Sequence, residues 1–204
     1  MAAFTREGYG QVEPNQLSAQ KTGQIYASLP LTADVSVLQN GEFMYYDYKT
    51  KTVTADATVG EPMLVFNEIK LYEPFWRTSY KDFAMIRVGD NYVTSKLATA
   101  GFGENSDKQQ AATIDPGHTE YGYRMDGIAP RMFKTNIGDI YTTNMVKTGV
   151  EYAEGDLLAP VKNADTHTLV LEKVADGTEG MLWQVGKVYT MPDGQPGLKL
   201  QRVQ

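Results

Sequence analysis

Short runs of β-branched and aromatic residues, often alternating with polar ones, recur along most of this 204-residue chain. Such runs are typical of half-buried strands, and Gly-containing turn pairs separate them here. Asn40-Gly41 predicts a hairpin between two strands. The predicted strand segments are Val35–Tyr48, Met63–Tyr72, Met85–Leu97, Ile137–Val146, Leu157–Val161, His167–Val174, Met181–Met191 and Leu198–Val203.

Helical periodicity is scarce. Asn15–Ile25, interrupted by Gly23, is one helix candidate. Glu73–Ala84 is the other, with aromatic residues at three- and four-residue spacing behind Pro74, although the same segment is compatible with a strand. The pattern therefore predicts an all-β fold, mostly antiparallel, of the barrel or sandwich type.

A weak internal repeat links the two halves of the chain. Three pairs of glycines, each followed by a charged residue, keep their order and nearly their spacing: Gly41 and Gly138, Gly89 and Gly186, and Gly60 and Gly155. One interpretation is a duplicated β module. The other is that β proteins reuse the same turn chemistry, because Gly next to a polar residue suits tight turns in general.

The duplication hypothesis divides the chain into four parts. Residues 1–27 form an extended N-terminal arm, 28–100 a first β module, 101–127 a connecting loop and 128–204 a second β module. The connecting loop is polar and rich in Gly, Asp and Gln, and a stretch of this length without its own structure is typical of a linker or a functional loop.

The arm carries apolar residues without an obvious core of their own. A polar terminal segment frays unless something holds it, so this one packs either on its own domain or on a partner. We predict that the arm lies on a neighbouring chain. The predicted partner-binding residues are Phe4, Tyr9, Leu17, Ile25 and Tyr26.

Composition excludes several classes of function. Hydrophobic residues make up 42% of the chain, enough for a packed core. The net charge of −6 disfavours non-specific binding to nucleic acid. The absence of Cys excludes disulfides, thiolate zinc sites and cysteine nucleophiles. Neither a signal peptide nor a run of roughly 20 apolar residues is apparent, so we expect no membrane partner.

The usual catalytic patterns are incomplete. His118 and Glu120 could share one side of a strand, but a metal site needs further ligands. His167 is predicted on the exposed face of a strand. Asp115 and Asp126 are interpreted as solvated turn residues, because a glycosidase needs two carboxyls at a fixed separation.

Phosphate-binding and serine-hydrolase motifs fail as well. Residues 180–188 are similar to a P-loop, but their spacing is one residue too long and Val188 replaces the magnesium-binding hydroxyl. There is no Gly-x-Ser-x-Gly elbow. We therefore expect a protein that is not an enzyme, with no catalytic residues, no cofactor and no metal.

Tyrosine is abundant, with 13 copies. In Tyr45-Tyr46-Asp47-Tyr48, strand alternation places Tyr46 and Tyr48 on one face and Tyr45 on the other. Exposed tyrosines stack on sugars or contact other proteins, but they are also common in edge strands and cores.

The second half resembles a known class of proteins. Its Gly138-Asp139 strand opening, its Gly155-Asp156-Leu157-Leu158 segment and its final strand from Gly197 to Leu200 are similar to those of tailed-bacteriophage virion proteins. The resemblance is to small β-barrel decoration (cement) proteins and related head proteins, and it covers about 75 residues.

The resemblance implies a structural virion protein on the outer capsid surface, made in the host cytoplasm. The implied partners are the major capsid protein, sister copies, or both, within a large symmetric assembly, where repetition multiplies weak contacts. The alternative is a carbohydrate- or receptor-binding β module of a phage particle. A pocket that combines aromatic and polar groups would favour this alternative.

Overall fold

The computed structural model describes residues 3–6, 10–32, 34–35, 37–56, 60–67, 85–87, 129–191 and 194–204. In these ranges the chain is nearly all antiparallel β with almost no helix, which confirms the all-β prediction. The strands are β1 Val12–Gln16, β2 Ile25–Tyr26, β3 Val37–Gln39, β4 Phe43–Asp47, β5 Thr52–Thr54, β6 Met63–Val65, β7 Met85–Arg87, β8 Met132–Phe133, β9 Ile140–Thr143, β10 Leu157–Asn163, β11 Thr168–Val174, β12 Trp183–Thr190 and β13 Pro196–Arg202.

One large sheet contains most of these strands, in the order β1-β9-β13-β12-β10-β11-β4-β6-β8-β2. It curls into a half-barrel. Phe43 on β4 lies 6.5 Å from Tyr141 on β9 between ring centroids, although four strands separate β4 from β9 along the sheet. Trp183 on β12 contacts both rings, at 5.9 and 4.8 Å. These three buried aromatic side chains belong to the hydrophobic core and bring distant strands of the sheet into contact.

The two ends of the sheet are connected by a short segment. β1 and β2 are the terminal strands in sheet order, yet only residues 17–24 separate them in sequence. Helix α1, Ser18–Thr22, occupies most of this segment and ends at Gly23, whose φ of 70° suits a glycine C-cap. Eight residues span at most about 28 Å even when extended. The connection therefore requires the sheet to curl.

The helix candidate 15–25 is confirmed in its central part, since α1 ends where Gly23 interrupts the pattern. Helix α1 is far too short to span a membrane, and no longer apolar helix occurs in the described ranges. The second helix candidate, 73–84, lies outside the described residues, as does the connecting loop 101–127.

The predicted hairpin at Asn40-Gly41 is wrong. β3 pairs with β7 in a separate two-stranded sheet, whereas β4 pairs with β5, β6 and β11. The Gly41 N–H donates to Val65 O at 2.9 Å, and Asn40 Oδ1 accepts from the Asn67 N–H at 2.7 Å. Both bonds tie the turn to the β6 side, so the chain passes from one sheet to the other instead of folding back.

The duplication is not confirmed. Strands from both halves share the large sheet, since β4 pairs with β11 and β6 with β8. The strand after Gly41, β4, lies between β6 and β11, whereas the strand after Gly138, β9, lies between β1 and β13. A duplication predicts that β4 and β9 have equivalent neighbouring strands. Their neighbours are not equivalent.

What recurs is a turn. Gly41, Gly138 and Gly155 have φ values of 94°, 93° and 93°, and each is followed by an acidic residue that immediately precedes a strand. In each turn the carboxylate accepts a hydrogen bond from the N–H three residues earlier, at 2.7, 2.9 and 2.8 Å. The glycine N–H donates to a carbonyl of the neighbouring strand at 2.9, 2.8 and 2.8 Å. The pair Gly41 and Gly138 therefore reflects shared turn chemistry, whereas Gly186 lies within β12 and its counterpart Gly89 lies outside the described residues.

The N-terminal arm is part of the domain wherever the structure describes it. β1 pairs with β9, and the Phe4 N–H donates to Val150 O at 2.8 Å. Phe4 and Leu17 lie in the hydrophobic core of their own chain. We expected the arm to lie on a neighbouring chain. Its described residues pack instead on the sheet of their own chain.

Candidate functional site

Three tyrosines form a continuous surface cluster. Tyr26 on β2 lies 5.3 Å from Tyr46 on β4, and Tyr46 lies 5.2 Å from Tyr48, measured between ring centroids. The contact of Tyr46 with Tyr48 confirms that they share a face of the strand. Tyr48 is 66% exposed, which is high for a ring of its size. The Tyr46 hydroxyl is within 2.6 Å of the Ser28 hydroxyl, which fixes the central ring.

A cleft of about 270 Å³ adjoins this cluster, and we name it the tyrosine cleft. Tyr26 and Tyr46 form its aromatic wall, and Pro62 and Met63 contribute apolar surface. Its polar lining comes from Glu61, Lys134 and Thr135. A concave site with aromatic and polar walls can bind a protein side chain or a sugar ring.

Buried Arg202 organises the polar side of the cleft. Its guanidinium donates to Glu61 Oε1 at 2.8 Å and to both oxygens of Thr135. The negative charge of Glu61 is therefore balanced by the guanidinium of Arg202, which is almost inaccessible to solvent. The exposed Lys134 ammonium has no acidic partner among the described residues, so the rim of the cleft carries a positive charge.

A second cavity, of about 360 Å³, surrounds the carboxylate of Glu42, and we name it the Glu42 cavity. Glu42 is only 2% exposed. Its Oε2 accepts from the Gln39 N–H at 2.7 Å and its Oε1 from the Thr168 hydroxyl at 2.9 Å. Burial nevertheless raises the pKa of Glu42 to about 7, because desolvation outweighs these two hydrogen bonds and the attraction of Arg6.

The five predicted partner-binding residues are distributed over different environments. Phe4 packs edge-on against Tyr152, with 5.7 Å between ring centroids, and Leu17 is fully buried. Both side chains are therefore buried by contacts within their own chain. Ile25 and Tyr26 are half-buried on β2, and Tyr26 belongs to the tyrosine cleft. Tyr9 lies outside the described residues.

The candidate catalytic residues of the connecting loop, His118, Asp115, Glu120 and Asp126, also lie outside the described residues. His167 is not on a strand face: it has a φ of 54° in the turn before β11. Its Nδ1 lies 3.7 Å from Asp34 Oδ2, and both side chains are about two-fifths exposed. In the described ranges, no group of three or more His, Asp or Glu residues is arranged to hold a metal ion.

Glu42 was not singled out from the sequence. It occupies the same position in its turn as Asp139 and Asp156, and nothing in the local pattern separates the three. Only Glu42 lies beside an arginine from the N-terminus, in a place that the sequence does not reveal.

In comparisons with known proteins, the chain matches no protein-family model, no curated protein and no solved structure.

Proposed function

We propose that this chain is a structural virion protein that binds the outer surface of a capsid, with the tyrosine cleft and Tyr48 as its contact surface. The observation that carries the proposal is the cluster of three tyrosines with its exposed end at Tyr48. Tyrosine is enriched at the energetically dominant positions of protein interfaces. The resemblance of the second half to decoration proteins supplies the class of partner.

The expected gain from one contact is modest. A buried tyrosine covers about 150–250 Å². If a capsid subunit covered the exposed part of Tyr48, the gain would be roughly 2–4 kcal/mol at about 25 cal/mol per Å². A symmetric capsid repeats the contact many times, and repetition makes such weak individual contacts sufficient for stable attachment when copies are linked.

Co-sedimentation with purified capsids of the virus that encodes the chain tests this proposal. Tyr48→Ala should weaken attachment by tenfold or more, the effect of losing about 1.4 kcal/mol or more of that gain. The matched control is Val188→Ala, because Val188 is an exposed apolar residue on β12, away from the cleft. Equal attachment by the Tyr48→Ala variant and the unmodified protein would overturn the proposal.

Carbohydrate binding is the second candidate function. The observation that favours it is the shape and lining of the tyrosine cleft, which places Tyr26 and Tyr46 beside Lys134 and Thr135 in a concave site. Sugars bind by stacking on aromatic rings while neighbouring polar groups bond to their hydroxyls. Titration with a panel of monosaccharides, followed by NMR of the tyrosine ring protons, should shift Tyr26 and Tyr46 selectively if this function is correct.

A further inference from the structure

Ile137 is the most exposed large apolar side chain among the described residues. It is 71% exposed, slightly more than Tyr48 at 66%, although isoleucine is one of the residue types most often buried. It lies in the loop between β8 and β9 and does not belong to the hydrophobic core. Single exposed apolar residues are common on protein surfaces, so the significance of this one depends on how the chain holds it.

Ile137 occupies the corner of a tight turn. The Asp139 N–H donates to Asn136 O at 3.0 Å, and Gly138 has a φ of 93°, which is typical of a type II turn with Ile137 as its second residue. Such a turn needs a positive φ only at its third residue. The turn itself therefore does not require isoleucine.

The Gly155 turn shows which kind of residue suits this exposed corner. It is closed by the same bond, from the Asp156 N–H to Ala153 O at 3.2 Å. Its second residue is Glu154, which is exposed and charged. Ile137 thus places an apolar side chain in solvent where an equivalent turn of the same chain has a charged one.

Buried hydrogen bonds hold the Ile137 turn in one conformation. Asp139 is only 4% exposed, and its carboxylate accepts from the N–H and the hydroxyl of Ser18 and from the Asn136 N–H, each at 2.9 Å. The Gly138 N–H donates to Arg202 O at 2.8 Å, which joins the turn to the end of β13. A side chain on such a rigid support loses little conformational entropy when a partner covers it.

The turn is continuous with the tyrosine cleft. Thr135 lines the cleft, and Ile137 follows it by two residues, so their Cα atoms are at most about 7 Å apart. A standard protein interface buries about 800 Å² on each partner, an area much wider than this separation. A protein that covers the cleft would therefore also reach Ile137.

We propose that Ile137 is a second anchor of the contact surface and inserts into an apolar pocket of the capsid subunit that covers the tyrosine cleft. This inference rests on the proposed function for the identity of the partner. The Lys134 ammonium at the cleft rim has no acidic partner among the described residues. Charge complementarity therefore favours a pocket with a carboxylate at its rim.

Co-sedimentation of variants with purified capsids tests the proposal. Ile137→Gln keeps the size of the side chain but not its apolar character, and it should weaken attachment about tenfold or more, as the loss of an interface anchor does. Ile137→Val keeps most of the apolar surface, so its attachment should lie between those of the unmodified protein and Ile137→Gln. The matched control is Glu154→Gln, which places the same residue at the same position of the Gly155 turn and should attach like the unmodified protein.

Lys134→Gln tests the charge of the partner. Its attachment should be weaker than that of the unmodified protein at low ionic strength, and the two should converge at about 1 M salt, where charges are screened beyond about 3 Å. Equal attachment at low ionic strength would overturn the acidic rim.

The pattern over the variants separates this inference from the proposed function. If Tyr48→Ala weakens attachment and Ile137→Gln does not, the inference is overturned and the proposed function stands. If Ile137→Gln alone weakens attachment, the anchor is supported and the role of Tyr48 is overturned. An unmodified protein that does not attach to capsids overturns both.

Two further measurements concern the free protein. Urea unfolding of Ile137→Gln should have the midpoint of the unmodified protein, because an exposed side chain contributes little to stability. A clear loss of stability would show that the side chain is needed by its own fold and would overturn the proposal. Self-association in analytical ultracentrifugation that Ile137→Gln abolishes would overturn the choice of partner, because a second copy would then cover the turn.

Discussion

At the scale of single residues, the three acidic turns show how much burial alone changes a carboxylate. Glu42, Asp139 and Asp156 accept the same main-chain hydrogen bond, from the N–H three residues earlier. Desolvation is the largest single influence on Asp156 and raises its pKa, but the hydrogen bond from Lys173, the Ala153 N–H and the charge of Lys173 together lower the pKa below its ordinary value. The pKa of Glu42 is raised because it is deeply buried. Identical local chemistry thus gives opposite shifts.

The raised pKa of Glu42 makes global stability depend on pH. The folded protein binds a proton that the unfolded chain releases between pH 4.5 and 7, so the free energy of unfolding should fall as pH rises through this range. The expected loss is roughly 3 kcal/mol. Urea unfolding at several pH values should show this slope in the unmodified protein and not in the Glu42→Gln variant. Asp165→Asn, which changes an exposed carboxylate of the same cavity, should leave the slope intact.

Two glycine substitutions separate backbone strain from steric conflict. Gly138→Ala meets open space, so its cost should be the left-handed conformation alone, about 1–2 kcal/mol. Gly41→Ala has almost the same φ, but its Cβ would lie 2.6 Å from both Met145 Cβ and Thr143 Oγ1. Overpacking should add about 1–3 kcal/mol. Equal losses of stability in urea unfolding would show that the Gly41 turn adapts without strain.

At the scale of elements, the end of β13 is fixed by the buried Arg202. Its guanidinium bonds to Thr135 before β9 and to Glu61 before β6, and its Nε bonds to Gln204 O. This one side chain therefore ties the end of the chain to two other segments. A lysine ammonium cannot donate to all of these acceptors, because it lacks the planar, spread arrangement of N–H groups of a guanidinium.

Arg202→Lys should cost about 2–4 kcal/mol, because buried acceptors would lose their donors. Glu61→Gln, which alters the exposed end of the same pair, should cost less than about 1 kcal/mol. Chemical denaturation of both variants measures the difference. A loss as large for Glu61→Gln as for Arg202→Lys would mean that the ion pair, and not the main-chain and hydroxyl bonds, fixes this end of β13.

At the scale of the whole molecule, the N-terminal residues belong to the cooperative unit. β1 is the terminal strand beside β9, and Phe4, Leu17 and Ala19 are in the core. Deletion of residues 2–24 should therefore unfold the protein, since each large buried side chain contributes about 1.5–3 kcal/mol to a total of about 5–15 kcal/mol.

Circular dichroism melting of the truncated protein measures this effect. Deletion of residues 2–5, which removes Phe4 alone from the core, provides a graded comparison and should lower the melting temperature without unfolding the protein. A truncated 25–204 protein with an unchanged melting temperature would show instead that the arm is independent of the core, as the sequence-based hypothesis of an arm on a neighbouring chain requires.

The sequence by itself determined the fold class and many local features. β-branched and aromatic runs predicted strands that were found, such as β10 to β13, because side-chain alternation and turn residues act locally. Gly23 ends helix α1 where it interrupts the predicted helical pattern, with a φ of 70°. The shared face of Tyr46 and Tyr48 follows from the same alternation.

Only the tertiary structure decided which strands are neighbours and which polar groups are buried. Asn40-Gly41 has the composition of a hairpin, but pairing of β3 with β7 and of β4 with β6 makes it a connection between sheets. Gly41 and Gly138 of the glycine repeat share a turn, but that turn carries no information on strand pairing. Glu42 is distinguished from Asp139 and Asp156 by burial against β11 and the N-terminal segment, at separations of up to 126 residues. Such contacts depend on the curl of the whole sheet, which no local pattern encodes.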